Sequence, residues 1–350
     1  MTLASSPDSS ENCHQSKFLS IKFRMIITEQ MNQELLYCPL SGSSKIVLVE
    51  KIAVSDLVSL YKKVLNCDVA SEFGNIQEIN FYHSLESELY FFSPMITGSE
   101  NFYEKLQVFD WYYLEEKNEY DYASKFIKPS DCVLEIGCGK GAFARKIHCQ
   151  DYIGLEFSQK ARDLAEKDGI TVLNESIQDH ALNNPQKYSV VCAFQVLEHI
   201  SDIYTFIEAS IECLKPGGIL IYSVPSADSF ISLLKNNILN MPPHHVSWWS
   251  EKTLQYIADL FKLNVINIHH EKLEDIHKRL YLSCLLSQAI TNNLAFYDNK
   301  KLVDCSLTYK IISKISSLAS KFLEKGFTDL KMLPNGHSIT AVYQKTISSK

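Results

Sequence analysis

Three glycines at alternate positions, Gly137, Gly139 and Gly141, follow the apolar pair Val133-Leu134, the acid Glu135 and Ile136. Glycine tolerates positive φ and has no Cβ, so a chain built this way can turn sharply after a strand and lie flat against a ligand. A second acid, Glu156, closes the next strand-like run, Tyr152-Ile153-Gly154-Leu155. A nucleotide-binding βαβ unit places its ribose ligand at about that distance beyond the first glycine. A carboxylate suits the task because it accepts two hydrogen bonds at once. The pattern therefore calls for a nucleoside cofactor. Gly137, Gly139 and Ala142 also satisfy Gly-x-Gly-x-x-Ala, the dinucleotide fingerprint. Against a dinucleotide stand Glu135, at a position usually kept apolar in such folds, and the third alternate glycine, Gly141.

Two further segments carry polar groups within strand-and-turn patterns. Val196-Leu197-Glu198-His199-Ile200 follows a strand-like run that ends at Gln195, and Leu214-Lys215-Pro216-Gly217-Gly218 precedes another. Together with the glycine turn and Glu156, these marks resemble the class I S-adenosylmethionine (SAM)-dependent methyltransferases over roughly residues 116–270. The resemblance implies SAM as cofactor. Gly137, Cys138, Gly139 and Gly141 would lie beside its methionine portion, and Glu135 would help hold its ammonium. Glu156 would take the ribose hydroxyls and Phe157 would pack on the adenine. Ser176 and Ile177 would read the adenine edge, although many relatives place an Asp in this stretch. The backbone at Gln195 would face the methyl donor.

The segment Met241-Pro242-Pro243-His244-His245-Val246-Ser247-Trp248-Trp249-Ser250 resembles a run found in methyltransferases that modify sugars and natural products. Relatives often carry Arg where Trp248 stands, which puts any anion contact of that Arg in doubt. A neutral imidazole on the ligand side of the sheet could deprotonate an acceptor hydroxyl. His244, His245 and His199 are thus the candidate catalytic residues; the plainer reading is that they bond loop carbonyls.

Positioning these groups requires alternating elements. The periodicity predicts strands near 132–136, 151–156, 170–173, 188–195, 218–224 and 263–270, and helices near 141–149, 158–168, 201–214 and 250–261. Such alternation implies a parallel sheet with helices on both faces: an α/β, Rossmann-like methyltransferase sheet, seven-stranded by the resemblance. Ser250 can cap the last of these helices, and His269-His270 should straddle a strand. Residues 271–333 break the rhythm with helical stretches around Leu280–Leu294 and Tyr309–Glu324, before a final strand near 337–345. In the family that strand slots antiparallel between the fifth and sixth. Ile311, Ile315, Leu318 and Phe322 make a stripe on the second stretch, with Lys310, Lys314, Lys321 and Lys325 beside it. A substrate lid or a homodimer contact is expected there; a membrane-surface helix is the other reading.

Residues 18–115 form an N-terminal extension ahead of a domain spanning 116–350, and the Ser-rich, polar residues 1–17 read as a disordered tail. The extension should hold a helix over Val54–Val69 and a dense run of aromatics. Tyr103, Tyr112 or Tyr113 could cap the cofactor, because a sulfonium can rest on an aromatic face.

Composition excludes some roles. The net charge is −7 with no block of Lys or Arg, which argues against nucleic acid as a partner. None of the ten cysteines forms a Cys-x-x-Cys pair. Cys38-Pro39-Leu40-Ser41 is half a zinc ribbon with Ser41 in place of the second thiolate, so no metal is expected. Neither a membrane span nor a signal peptide is visible, and a reducing cytoplasm is the expectation. The expected activity is SAM-dependent methylation of a small molecule, at oxygen of a sugar or natural-product intermediate. A protein or lipid methyltransferase, and a SAM-binding module without catalysis, remain alternatives. An NAD(P)-dependent oxidoreductase would rest on Tyr297-x-x-x-Lys301, a pattern short enough to recur by chance.

Overall fold

A computed structural model describes residues 36–106, 108–109, 115–295, 297–299, 301–326 and 333–347. Residues 1–17, Tyr112 and Tyr113 lie outside the described residues. Cys38–Lys350 forms one compact unit.

The large sheet is built as the alternation predicts. Its strands are β4 (Cys132–Ile136), β5 (Asp151–Leu155), β6 (Val172–Leu173), β7 (Tyr188–Phe194), β8 (Leu214–Pro225), β10 (Leu263–Lys272) and β11 (Asn335–Lys345), in the order β10-β11-β8-β7-β4-β5-β6. The five strands from β6 to β8 pair parallel, and β11 runs antiparallel between β8 and β10. Order reverses at β4, whose neighbours are β5 on one side and β7 on the other. Ligands bind at such a switch point, outside the carboxyl ends of the strands. The central strands β4 and β7 are nearly all buried apolar residues, as strands covered on both faces must be.

The helices follow their caps. Ser158 caps α6 (Gln159–Lys167), Ser176 caps α7 (Ile177–Asn183) and Ser250 caps α9 (Glu251–Phe261); each side chain accepts from a backbone N–H three residues on. The helix after the glycine turn, α5 (Ala142–Lys146), is shorter than expected because the chain becomes extended at Ile147. Helix α8 (Ile203–Cys213) buries Ile203, Phe206 and Ile207 on one face. His269 and His270 do straddle β10: one stacks on Tyr122 and the other bonds Glu251.

The N-terminal extension differs most from its expectation. Helix α1 (Val54–Leu65) stops early, at Asn66 in the left-handed conformation, and Val64 points outward. Strands β1 (Ile46–Ala53), β2 (Glu78–Ser84) and β3 (Tyr90–Ser93) form an antiparallel sheet. Its fourth strand is β9 (Ser247–Trp248), which comes from the Pro-Pro-His-His segment. Phe81, Phe92, Phe102, Tyr61 and Trp248 pack into one core, so most of the aromatic run is packing. Two shorter helices complete this region, α2 (Ala70–Phe73) and α3 (Glu100–Leu106). Helix α4 (Asn118–Ala123) leads into β4.

The insert holds α10 (Asp275–Asn292) and α11 (Leu307–Leu323). The face of α11 that is buried carries Ile312, Ser316 and Ser320; the stripe of Ile311, Ile315, Leu318 and Phe322 faces outward. Tyr297 lies in the loop between these helices with its hydroxyl on Asp304, so it does not stand one helical turn before Lys301 as a catalytic pair would. Among the described residues, no helix is long and apolar enough to cross a membrane.

Tyr61 joins the extension to the histidine segment: its fully buried hydroxyl donates to the carbonyls of Ile238 (2.7 Å) and Met241 (3.0 Å). Replacing Tyr61 with Phe removes the donor and leaves the Ile238 carbonyl without it. Stability in urea should fall by about 1–3 kcal/mol. An unchanged unfolding midpoint would show that the clamp carries no net energy.

Candidate functional site

The glycine turn begins where β4 ends. Gly137, Gly139 and Gly141 have φ of +70°, +53° and +79°. A Cβ on Gly137 would stand 2.7 Å from Val196 Cγ2, and one on Gly141 2.3 Å from Ile170 Cδ1. Conformation and space thus both require glycine at these two positions. The Gly137 and Cys138 amides donate to the Leu155 carbonyl (2.8 and 3.1 Å), and Cys138 packs its thiol inward. Burial, with the Glu135 charge second, pushes that thiol up, which makes it a small apolar filler.

Glu156 sits where the register of β5 places it, at the carboxyl end beside the turn. Its carboxylate accepts from the Gly139 amide (2.9 Å) and the Ser158 amide (2.8 Å). It therefore braces the glycine turn, a role its sequence position did not reveal. Burial raises its pKa against the pull of these amides. Arg162, one helical turn on, donates to the carbonyls of Glu156 (2.8 Å) and Phe157 (2.6 Å) and so sets the path of this corner. The Phe157 ring is 66% exposed, which leaves its face open.

Glu135 is 1% exposed within β4, and its carboxyl receives the Tyr152 hydroxyl. Burial pushes its pKa up to about 8, against the Tyr152 hydrogen bond that pulls it down. A cation brought beside such a buried acid favours its charged form. Tyr152 went unnoticed in the sequence; its alternation with Gly154 in β5 was the available signal.

The residues after β6 are arranged differently from the expectation. Ser176 spends its hydroxyl on the Asp179 amide (3.0 Å) as a helix cap, and Ile177 is 2% exposed. Only the backbone of Ile177 is left to meet a ligand. Glu175 bonds His180 (2.6 Å), which bonds Tyr188 (2.8 Å).

Gln195 ends β7 in the left-handed region, φ +57°, an uncommon conformation for a side-chain-bearing residue. Its amide nitrogen donates to Ser338 (3.2 Å) and, at 3.5 Å, to the buried Glu119. Cofactor-side candidates thus emerge from the ends of β4, β5, β6 and β7, on one edge of the sheet.

The three histidines form a separate group, with His244 and His245 buried and His199 half-buried. One ring nitrogen from each of His199, His244 and His245 lies within 4.8 Å of the others. His199 also meets the Tyr103 hydroxyl (3.2 Å), so Tyr103 faces the histidines. Burial lowers His199 to about 4 and His244 to about 3, with His245 depressed as well. These rings stay neutral at physiological pH but hold protons weakly. The extension and its aromatics close over the loop that carries them.

The strand order and the edge that gathers these groups define the class: a seven-stranded methyltransferase-type α/β fold with a nucleoside-cofactor edge. Residues 111–268 match the family model described as a methyltransferase domain. This stretch is thus similar to the class I SAM-dependent methyltransferases, and SAM is the cofactor of that class. A ubiquinone biosynthesis O-methyltransferase of Serratia proteamaculans is 34% identical over 99 residues, covering 26% of this chain and 41% of that protein. Its counterpart from Klebsiella pneumoniae is 26% identical over 171 residues, covering 42% and 68%. This chain thus spans less than half the length of the first of these relatives. A SAM-dependent methyltransferase from Archaeoglobus fulgidus overlays with a TM-score of 0.43 at 16% identity, over 65% of this chain and 91% of that one.

The Glu135 carboxyl gives a pH test. Its folded pKa lies above its ordinary value of 4.5, so its stabilising share is whole below that value and is lost as pH rises toward about 8. Glu135→Gln should therefore gain in melting temperature relative to the parent protein between pH 5 and pH 9. A difference that stays constant with pH would place an ordinary carboxyl at this position.

Proposed function

We propose that the protein transfers a methyl group from SAM to the oxygen of a small-molecule acceptor. The observation that carries this reading is the pairing of a positive-φ glycine turn with two acids, buried Glu135 and half-buried Glu156, at one sheet edge. The groups match the cofactor's parts. Glu135, ionised, holds the ammonium. Glu156 retains lone pairs beyond its two amide bonds for the ribose hydroxyls. Phe157 offers an exposed ring to the adenine, the backbone of Ser176 and Ile177 lines its edge, and Gln195 fixes the turn that faces the methyl. Oxygen as the acceptor atom follows the relatives, whose names describe O-methyltransferases. A sugar or natural-product hydroxyl is the class we favour, because the Pro-Pro-His-His segment resembles that of such enzymes. We take the cytoplasm as its place of work.

The bound cofactor supplies an activated methyl group on a sulfonium. Its methyl would pass to the acceptor oxygen, leaving S-adenosylhomocysteine and releasing the acceptor's proton to solvent. The chain contributes alignment and exclusion of water. Neutral, enclosed histidines fit a wall for the acceptor better than a proton relay exchanging with solvent.

The purified protein should bind SAM and S-adenosylhomocysteine in calorimetry and give no heat with NADH. NADH binding without SAM binding would overturn the reading. Glu156→Ala should weaken SAM by about 2–3 kcal/mol, roughly thirty- to two-hundredfold. A melting curve of the same variant separates lost ribose contacts from a loosened glycine turn. An unchanged dissociation constant would move the ribose site elsewhere.

A further inference from the structure

Among the described residues, no other residue donates a hydrogen bond to either carboxylate oxygen of Glu198, although it is 1% exposed. A buried carboxyl without donors is costly and calls for an explanation. Its surroundings supply one. Glu198 Oε1 lies 4.0 Å from His245 Nε2, and His245 belongs to the group in which one ring nitrogen from each histidine lies within 4.8 Å of the others.

Each ring is fixed through its Nδ1. His199 Nδ1 bonds the His244 carbonyl (2.6 Å), His244 Nδ1 the Leu239 carbonyl (2.8 Å), and His245 Nδ1 the Asn240 side-chain oxygen (3.0 Å). Carbonyl oxygens only accept, so each Nδ1 carries the proton and each Nε2 carries a lone pair. Metal-bound histidines are held in this way, with the other ring nitrogen donating to a carbonyl or carboxylate. The backbone is held too. The Val246 amide bonds the Glu198 carbonyl (2.8 Å), and Trp248 Nε1 bonds the Asn240 carbonyl (2.7 Å).

We propose that His199, His244, His245 and Glu198 form a binding site for one divalent transition-metal ion, with zinc the best match. Imidazole nitrogens with one carboxylate suit zinc in tetrahedral coordination. Four protein donors fill that shell, so the ion is a staple between the turn after β7 and the Pro-Pro-His-His loop. It keeps no open position for chemistry. It also supplies the positive charge that Glu198 lacks.

Occupation requires small movements. His199 stands edge-on to both partners, at 76° and 73°, but His244 and His245 stack at 4.4 Å and 18°. One ion cannot lie in the planes of two parallel rings, so one of the pair must tilt. At a zinc–nitrogen distance of about 2.0 Å, tetrahedral donors stand about 3.3 Å apart, so the three rings must close from within 4.8 Å of one another, and Glu198, which stands outside that group at 4.0 Å from His245 Nε2, must swing in to join them. The site was hidden in the sequence because His199 and the His244-His245 pair lie far apart in the chain. The half ribbon at Cys38 drew attention to thiolates instead; Cys38 Sγ is buried against Ser87.

The test uses the full chain, purified without a metal-affinity tag. Elemental analysis should find about one zinc per chain, and a strong chelator should remove it with a drop in melting temperature. X-ray absorption should show a shell of nitrogen and oxygen only. Cobalt(II) taken up by the apo protein should give tetrahedral d–d bands without thiolate charge transfer. His199→Gln and Glu198→Gln, which keep shape and polarity, should weaken zinc by at least about a hundredfold, beyond what loss of an outer-shell partner costs. Should either variant fail to fold, the absorption spectra of the unaltered protein still decide. Sulfur in the shell, or an apo protein that binds zinc no more tightly than His199→Gln, would overturn the proposal.

Discussion

Parallel pairing of β4 with β5 and β7 is the constraint on which the site rests. Ile136 pairs with Leu155 on one side and with Ala193 on the other, so these strands end within about a residue of one another. Their carboxyl ends then release the glycine turn, the Glu156 corner and the Gln195 turn at one level. A slip of one residue would send the side chains of a strand to its other face. Glu135 would then leave Tyr152, and Glu156 would leave the Gly139 amide. The site is exact because the ladder is, and the ladder is exact because these strands are buried on both faces.

The second constraint is closure of the histidine loop. The extension does not stand apart from the sheet domain: β3 pairs with β9, Tyr61 holds the Ile238 and Met241 carbonyls, and Tyr103 meets His199. Aromatic packing around Trp248 drives this closure, and the histidines are sealed as a consequence. Burial then strips them of basicity and raises the Glu198 carboxyl to about 8. Hydrophobic packing in one part of the chain thus sets the acid–base character of residues more than a hundred positions away.

Buried acids recur along this region. Glu119 and Glu271 lie near Gln195 and His337, and burial raises both. Each costs stability as pH rises, unless a donor or cation meets it. Glu271 has such a donor in the His337 amide (2.8 Å), and Glu119 has Gln195.

The sequence alone determined the strand–helix alternation, the glycine turn, the Ser250 cap and the acid after β5, because these depend on local periodicity and on backbone conformations that few residues allow. It therefore determined the fold class and the cofactor edge. Only the tertiary structure decided that the extension forms a sheet completed by β9, since antiparallel pairing between residues so distant leaves no local mark. The same is true of α11: its amphipathic stripe was legible, but packing chose Ile312, Ser316 and Ser320 for the interior. Tertiary packing also made Ser176 a cap and Glu156 a brace. It gathered His199, His244, His245 and Glu198 into one enclosed group, because burial and proximity belong to the folded chain and not to the order of its residues.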